Sequence, residues 1–429
     1  MIAALAGLAA CQTVPAAADT VEYANGRWWN GTAFQTRSVW TVGDRLTLRR
    51  PHGPARRVDL GGGYVTPPFI EGHNHWLEPA RADAYNACYL ADGVFYVRDM
   101  GNIPFIADQF RGRLNRPDTV DWTSAMMGFT GPGGHPVEII EQFIAFGILP
   151  RDWRADYDGQ AMFVVTDQAG IERGLDQLAG QGSAIVKTFL LFSDRYAQSL
   201  ADPATRGNAR GMDPRLLPRL VRSAHRRGMR VATHIYSAAD FRIAVAAGVD
   251  EIAHLPGTGF RNSMPAADFR ITAADARAAA RAGIAVTTTV YWLGELQSEN
   301  PAHYRIARDE IVIPNLRLLK AAGVRLLIGS DNFRHDVRTE LAVLQGLGVF
   351  SPSELLAMNA DTIRNAFPRE RIGALREGYR ADFIVTRPDP RSDLAATDGI
   401  VMRVKSGRPI PEARLALHRP SAACVEGAP

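Results

Sequence analysis

Through the middle of the chain, short apolar runs alternate with longer segments whose apolar residues recur at helical spacing. Runs rich in β-branched and aromatic residues stand near Phe69, Phe95, Ala125, Ile185, Val231, Ile252, Val286 and Leu327. Each is too short for a helix and is bounded by turn residues, which predicts a strand at each position. The stretches from Pro214 to Gly228 and from Thr272 to Gly283 read as helices that stop on glycine just before a strand. Eight such alternations predict an α/β protein whose centre, residues 68–368, is a (β/α)8 TIM barrel. The flanks differ. Residues from about Val21 to Val65 read as short strands joined by polar turns, and the tail from Ile372 to about Leu417 resumes that style.

Composition is consistent with this picture and narrows it. A chain of 429 residues accommodates a barrel of about 250 residues and a smaller second domain. The net charge of +4 comes from arginines scattered along helices, without a basic block or interleaved aromatics, so no nucleic-acid partner is expected. Cys11, Cys88 and Cys424 are far apart, show no metal-finger spacing and are not expected at a metal site. Residues 1–19 read as an export signal: the apolar run Ile2–Ala10 is too short to span a bilayer, and Leu8-Ala-Ala-Cys11 has the form of a lipoprotein cleavage box. The expected location is outside the cytoplasm of a bacterium, either periplasmic, after cleavage following Ala18, or held at the membrane by a lipid on Cys11.

The chemistry is carried by polar residues at strand ends. His73 and His75 flank Asn74 where the first barrel strand stops, and side chains at i and i+2 of a strand point the same way. Lys187, His234, His254 and Asp331 stand in or just after later strands, whose C-terminal ends share one rim of a barrel. Lys187 is the most telling of these. The chain uses lysine only at 187, 320 and 405, so arginine serves wherever positive charge alone is wanted. Lys320 suits a helix surface and Lys405 a strand end near a turn, whereas Lys187 interrupts the apolar run Ala-Ile-Val-Lys-Thr-Phe-Leu-Leu, where an ammonium is costly to bury. Amine chemistry explains it. A desolvated, neutral amine can take up carbon dioxide as a carbamate with two metal-binding oxygens, which guanidinium cannot do. The alternatives are a snorkelling lysine or one paired to a buried acid.

These residues, with Pro67-Pro-Phe-Ile-Glu-Gly-His-Asn-His75, Gly93-Val-Phe-Tyr-Val-Arg-Asp-Met-Gly101, Gly329-Ser-Asp331 and Ile372-Gly-Ala-Leu-Arg-Glu-Gly-Tyr-Arg-Ala-Asp-Phe-Ile-Val385, resemble the amidohydrolase superfamily. The likeness runs from about residue 20 to about 415. It is strongest to the binuclear branch with a carboxylated lysine, and extends to prolidase, arginine-carboxypeptidase-like and imidazolonepropionase-related members. It implies that residues 20–67 and 369–420 build one β-sandwich. It also implies two divalent metal ions, zinc being the expected identity. His73, His75, the Lys187 carbamate and Asp331 would hold one, and the carbamate, His234 and His254 the other, with a hydroxide shared between them. Asp331 would move the proton to the departing amine.

The same resemblance places His135, in Gly131-Pro-Gly-Gly-His, near the scissile carbonyl, and Tyr236 against a substrate carboxylate. Solvation for His135 and packing for Tyr236 are the ordinary alternatives. Arg98 and Asp99 are expected to pair with each other, with Arg98 otherwise available to an anionic substrate, and His335, four residues past Asp331, is a further substrate candidate. The expected function is hydrolysis of a C–N bond in a small substrate such as a dipeptide or N-acyl amino acid. The expected partners are that substrate, a lipid at Cys11 and a second copy of the chain. The rivals are a mononuclear deaminase or cyclic-amide hydrolase of the same superfamily, and a non-catalytic metal-binding lipoprotein. His234-Ile-Tyr-Ser-Ala-Ala-Asp240 lacks the glutamate that mononuclear deaminases carry there.

Overall fold

The structure, a computed structural model, describes residues 19–154, 156–201, 209–260, 264–332, 336–396 and 398–415. The leader with Cys11, and His335, lie outside these residues. Five strands precede the parallel region: β1 (Thr20–Trp29), β2 (Phe34–Val42), β3 (Arg45–Thr47), β4 (Arg56–Asp59) and β5 (Tyr64–Thr66). Three parallel strands follow in one sheet, β6 (Phe69–Asn74), β7 (Val94–Asp99) and β8 (Asp121–Ser124). A second, seven-stranded parallel sheet takes β9 (Phe129–Thr130), β10 (Phe163–Val164), β11 (Ile185–Leu190), β12 (Arg230–Ile235), β13 (Glu251–Ala253), β15 (Ala285–Thr287) and β16 (Arg325–Leu327), while β14 (Pro256–Gly259) stays outside it. The chain closes with β17 (Phe383–Thr386), β18 (Ile400–Lys405) and β19 (Arg408–Pro409), which join β1–β5 in one eight-stranded sheet.

The parallel strands form where the apolar runs stand, with Ala125 one residue past β8. Every residue of β6, β7 and β11 is buried, as in parallel sheets covered on both faces. The intervening helices start and stop as their sequences direct. Thr272 and Asp275 form a reciprocal capping box at the helix Ala273–Arg281, and Gly283 leaves it at φ +69.

The third expected strand is broken. Ala125–Gly128 divide it, with Met126 at φ +53, so that β8 pairs back to β7 and β9 pairs forward to β11. At the far edge, β6 meets the residues that follow β16 through glycines. A Cβ on Gly72 would lie 2.1 Å from the Ile328 carbonyl oxygen, and one on Gly329 would lie 2.6 Å from the His73 Cβ. The Asp331 amide donates to the His73 carbonyl at 2.6 Å across this seam.

Arg98 does not pair with Asp99. Neighbours on a strand point to opposite faces, and Arg98 turns into the space between the two parallel sheets, where it makes a two-pronged bond with Glu251 of β13 at 2.6 and 2.7 Å. Thr287 and Asn365 donate to the same carboxylate, and Arg98 Nε donates to the Gly72 carbonyl. Asp99 instead accepts from the Trp76 and Gly101 amides and from Asn102. Lys405 stands at the end of β18 before a turn, as expected, but it is 1% exposed and bonds Asp121 at 2.8 Å. Asp121 also pairs with Arg380, which holds Asp382 at 2.6 Å, so one buried ionic cluster fastens the terminal sheet to β8.

Removing one member of a buried ion pair leaves the other charged and unpaired. Glu251→Ala is therefore expected to lower unfolding free energy by about 3–5 kcal/mol, read as a shift of the denaturant midpoint. A midpoint within error of the parent would show that the pair holds nothing together.

Candidate metal centre

Six chemistry-bearing side chains gather where the parallel strands end. His73 lies on β6 and His75 directly beyond it, Lys187 is the third residue of β11, His234 the fifth of β12, and His254 follows β13. Asp331 follows the Gly329-Ser330 turn after β16, with φ +54. One donor atom each from His73, His254 and Asp331 lie within 4.8 Å of one another. Asp331 is 3.2 Å from His75 Nε2 and 3.8 and 3.7 Å from the Nε2 atoms of His73 and His254. Lys187 Nζ donates to His73 Nε2 at 3.1 Å, and the His234 and His254 rings are 4.3 Å apart.

Backbone and hydroxyl groups orient these rings. His75 Nδ1 donates to the Gly101 carbonyl at 2.7 Å, so Nε2, 3.2 Å from Asp331, donates to that carboxylate only when the ring is an imidazolium, a form that Asp331 favours against the burial of the ring. His254 Nδ1 meets the Thr289 hydroxyl at 2.7 Å. Thr289 sits in a loop held by Glu340, which accepts from the Thr288 hydroxyl and from the Val290 amide. Glu71 plays the same part across the glycine seam, accepting from the His73 and Ser330 amides and the Ser330 hydroxyl. Burial pushes the carboxyls of Glu71 and Glu340 up to about 8.

Electrostatics at the centre follow from burial and crowding. Burial brings the Lys187 amine down to about 8, against the pull of Asp331 and Glu251. Burial, with Lys187 and other imidazoles nearby, takes His254 down to about 3 and keeps it neutral. Burial would raise the Asp331 carboxyl, but the His75 hydrogen bond and the surrounding imidazoles and Lys187 amine outweigh that and hold it low. Among the described residues, the buried Nε2 atoms of His234 and His254 have no hydrogen-bond partner. Neutral imidazoles with unpartnered buried nitrogens, set around a carboxylate, fit a divalent cation better than a hydrogen-bond network.

The centre opens into a cavity of about 240 Å³, which suits a small substrate because larger ligands take roughly 300–1,000 Å³. His135 and Tyr236 both line it, their rings each 5.1 Å from that of His234. His135 Nδ1 also pairs with Glu138. Arg98 does not reach the cavity: it is 1% exposed and committed to Glu251, so the expectation that it meets an anionic substrate is corrected. Sequence reasoning passed over Glu71, Glu251 and Glu340. The first two carried a readable signal, a carboxylate inside an apolar run two or three residues before a histidine, the same anomaly that singles out Lys187. Glu340 carried none, because Thr-Glu-Leu on an amphipathic helix is ordinary.

Residues 196–410, just over half of the chain, match the amidohydrolase family. The match takes in His234, His254 and Asp331 and begins after Lys187. No curated protein sequence matches the chain. Among solved structures, A. niger ochratoxinase is similar at TM-score 0.71 and 15% identity, over 92% of this chain and 96% of that one. Phenylurea hydrolase B is similar at TM-score 0.71 and 16% identity, over 94% and 100%. A Xaa-Pro dipeptidase with methionine in its active site is similar at TM-score 0.68 and 18% identity, over 91% and 99%. At these identities the likeness is one of fold. The family match and the donor set at the strand ends lead to one conclusion: the chain belongs to the amidohydrolase family and is a metal-dependent hydrolase of carbon–nitrogen bonds.

Proposed function

We propose that this enzyme is a binuclear amidohydrolase that cleaves the amide bond of a small N-acyl amino acid or dipeptide. The observation that carries the reading is the meeting of His73, His254 and Asp331 within 4.8 Å, with Lys187 Nζ 3.1 Å from His73. His73, His75, Asp331 and a carbamate on Lys187 would hold one ion, and the carbamate, His234 and His254 the other. Zinc suits imidazole and carboxylate donors and needs no redox partner. When bound, the metals polarise the substrate carbonyl and make water nucleophilic at neutral pH.

The chain's own groups do the rest. Asp331, held ionised, accepts a proton from the attacking water and delivers it to the leaving amine. His135, beside His234 in the cavity, would donate to the carbonyl oxygen, and Tyr236 would bind a substrate carboxylate. Two buried lysines separate the readings of Lys187. Lys405 shows the ion-paired alternative, with Asp121 at 2.8 Å. Lys187 has no carboxylate within 4.0 Å among the described residues and its amine is brought down toward neutrality, which favours carbamate chemistry.

The wider architecture is read in the same way. The two parallel sheets form one closed (β/α)8 barrel over residues 68–368, a reading supported by the Asp331–His73 backbone bond and the broken third strand. The reading of residues 20–67 and 369–420 as one β-sandwich, of which 416–420 lie outside the described residues, is supported by the hydrogen bonds that Leu46 exchanges with Gly378 and Tyr379. Export through residues 1–19, with either release after Ala18 or a lipid on Cys11, is supported by the apolar run Ile2–Ala10 and the box Leu8-Ala-Ala-Cys11. No helix among the described residues is long and apolar enough to cross a membrane.

Elemental analysis of the purified protein is expected to find close to two divalent ions per chain. Lys187→Arg keeps the charge but cannot be carboxylated, so it should lose the metal pair and activity as fully as Lys187→Ala, and short carboxylic acids should partly restore the alanine variant alone. Retention of two metals and turnover by Lys187→Arg would remove the carbamate from the mechanism. Asp331→Asn should keep the fold and much of the metal while lowering kcat by roughly 100-fold or more. Near-parental turnover would assign proton transfer to another group.

A further inference from the structure

The cavity beside the metal centre has two unlike sides, and the difference follows chain order. The side built from the ends of β12–β14 presents His234, Tyr236, His254 and Thr258. A second part of the lining is built from the break between β8 and β9, the helix Val137–Ala145, which follows His135, and the residues before β10. It presents Met126, Met127, Ile139, Ile140, Phe143 and Met162. Among the described lining residues, the charged side chains other than histidine are Lys187 and Asp331, both at the metal end. The apolar side is a packed wall: Met126 and Met162 are at most 3% exposed, and Ile140 is 5% exposed.

From this asymmetry we infer that the enzyme takes amides whose acyl group is uncharged and apolar, an N-alkanoyl or N-arylacyl amino acid, in preference to a dipeptide. The inference rests on the amide-hydrolase reading above and decides between the two substrate classes it leaves open. With the amide at the metal end and the amino-acid carboxylate toward Tyr236, the acyl chain lies along the wall of methionine, isoleucine and phenylalanine. Water adds across the C–N bond, releasing a carboxylic acid and an amino acid. A dipeptide puts its α-ammonium on the acyl side, where the described wall offers no carboxylate and desolvation is uncompensated. Unbranched, polarisable methionines let one wall follow acyl chains of different shape.

The decisive pair is hexanoyl-alanine and norleucyl-alanine, which differ only by the α-ammonium. With metal-loaded protein, kcat/KM for hexanoyl-alanine is expected to exceed that for norleucyl-alanine by roughly 100-fold. It should exceed that for acetyl-alanine by at least about tenfold, the scale of discrimination available from one or two well-packed methylenes. Thermal shift supplies a readout independent of turnover: hexanoate should raise Tm more than norleucine at equal concentration. Ile139→Asp, which sets a carboxylate on the wall, should move the preference toward norleucyl-alanine, and Phe143→Ala should move it toward longer acyl chains. Equal or faster cleavage of norleucyl-alanine by the parent would overturn the inference while leaving the amide-hydrolase reading intact. If neither compound is cleaved yet hexanoate alone stabilises the protein, the apolar acyl side stands and the amide-hydrolase reading falls. If hexanoate and norleucine stabilise it equally, the wall does not select and the inference fails.

Discussion

The close approach of β6 to the residues after β16 is the constraint on which the centre depends. It exists because Gly72 and Gly329 have no Cβ, the nearest atoms to an added methyl being a carbonyl oxygen at 2.1 Å and the His73 Cβ at 2.6 Å. Any side chain at either position would push the strands apart. Asp331 would then lose its amide bond to His73 and move away from His73, His75 and His254 together. The left-handed backbone at Asp331 and at His254 belongs to the same constraint. Residues with a Cβ hold φ above zero only where surrounding bonds over-determine them, and such positions concentrate at functional sites.

Three buried glutamates turn this approach into a fixed geometry. Glu71 ties the two sides of the seam, Glu340 ties the loop that positions Thr289 behind His254, and Glu251 with Arg98 links the two parallel sheets below the centre. Their surroundings divide their charge states. Guanidinium and hydroxyl partners overcome the burial of Glu251 and bring its carboxyl down to about 2, whereas Glu71 and Glu340, bonded to amides and hydroxyls, are raised to about 8. The layer beneath the ligands is therefore ionic on one side and close to neutral on the other.

Much of this was legible in the sequence because its signals are local. Apolar runs ending in His, Lys or Asp announce strand ends that carry chemistry, and glycine stops announce the helices between them. Pairing across the fold was not legible. Arg98 looks like a partner for adjacent Asp99, but alternation along a strand separates them, and the true partner, Glu251, is 153 residues away. Lys405 looks like an ordinary strand-end lysine because Asp121, its buried counter-charge, lies 284 residues earlier. The break at Met126 was hidden for a further reason: an apolar residue with left-handed backbone leaves no mark in a hydrophobic pattern.

That break has an evolutionary consequence. The ligands stand on strands that the seam and the buried glutamates hold rigidly, whereas the wall of Met126, Met127, Ile140 and Met162 hangs from an interruption between strands and from the helix beyond it. Their side chains contribute surface to the cavity, while the bonds they give the scaffold are made by backbone, as where the Asn102 amide donates to the Met126 carbonyl. Selection can therefore exchange one methionine or isoleucine for another, and so retune which molecules enter, while the catalytic apparatus remains untouched. A family built on this plan can diversify its diet through one segment and conserve its chemistry through the rest.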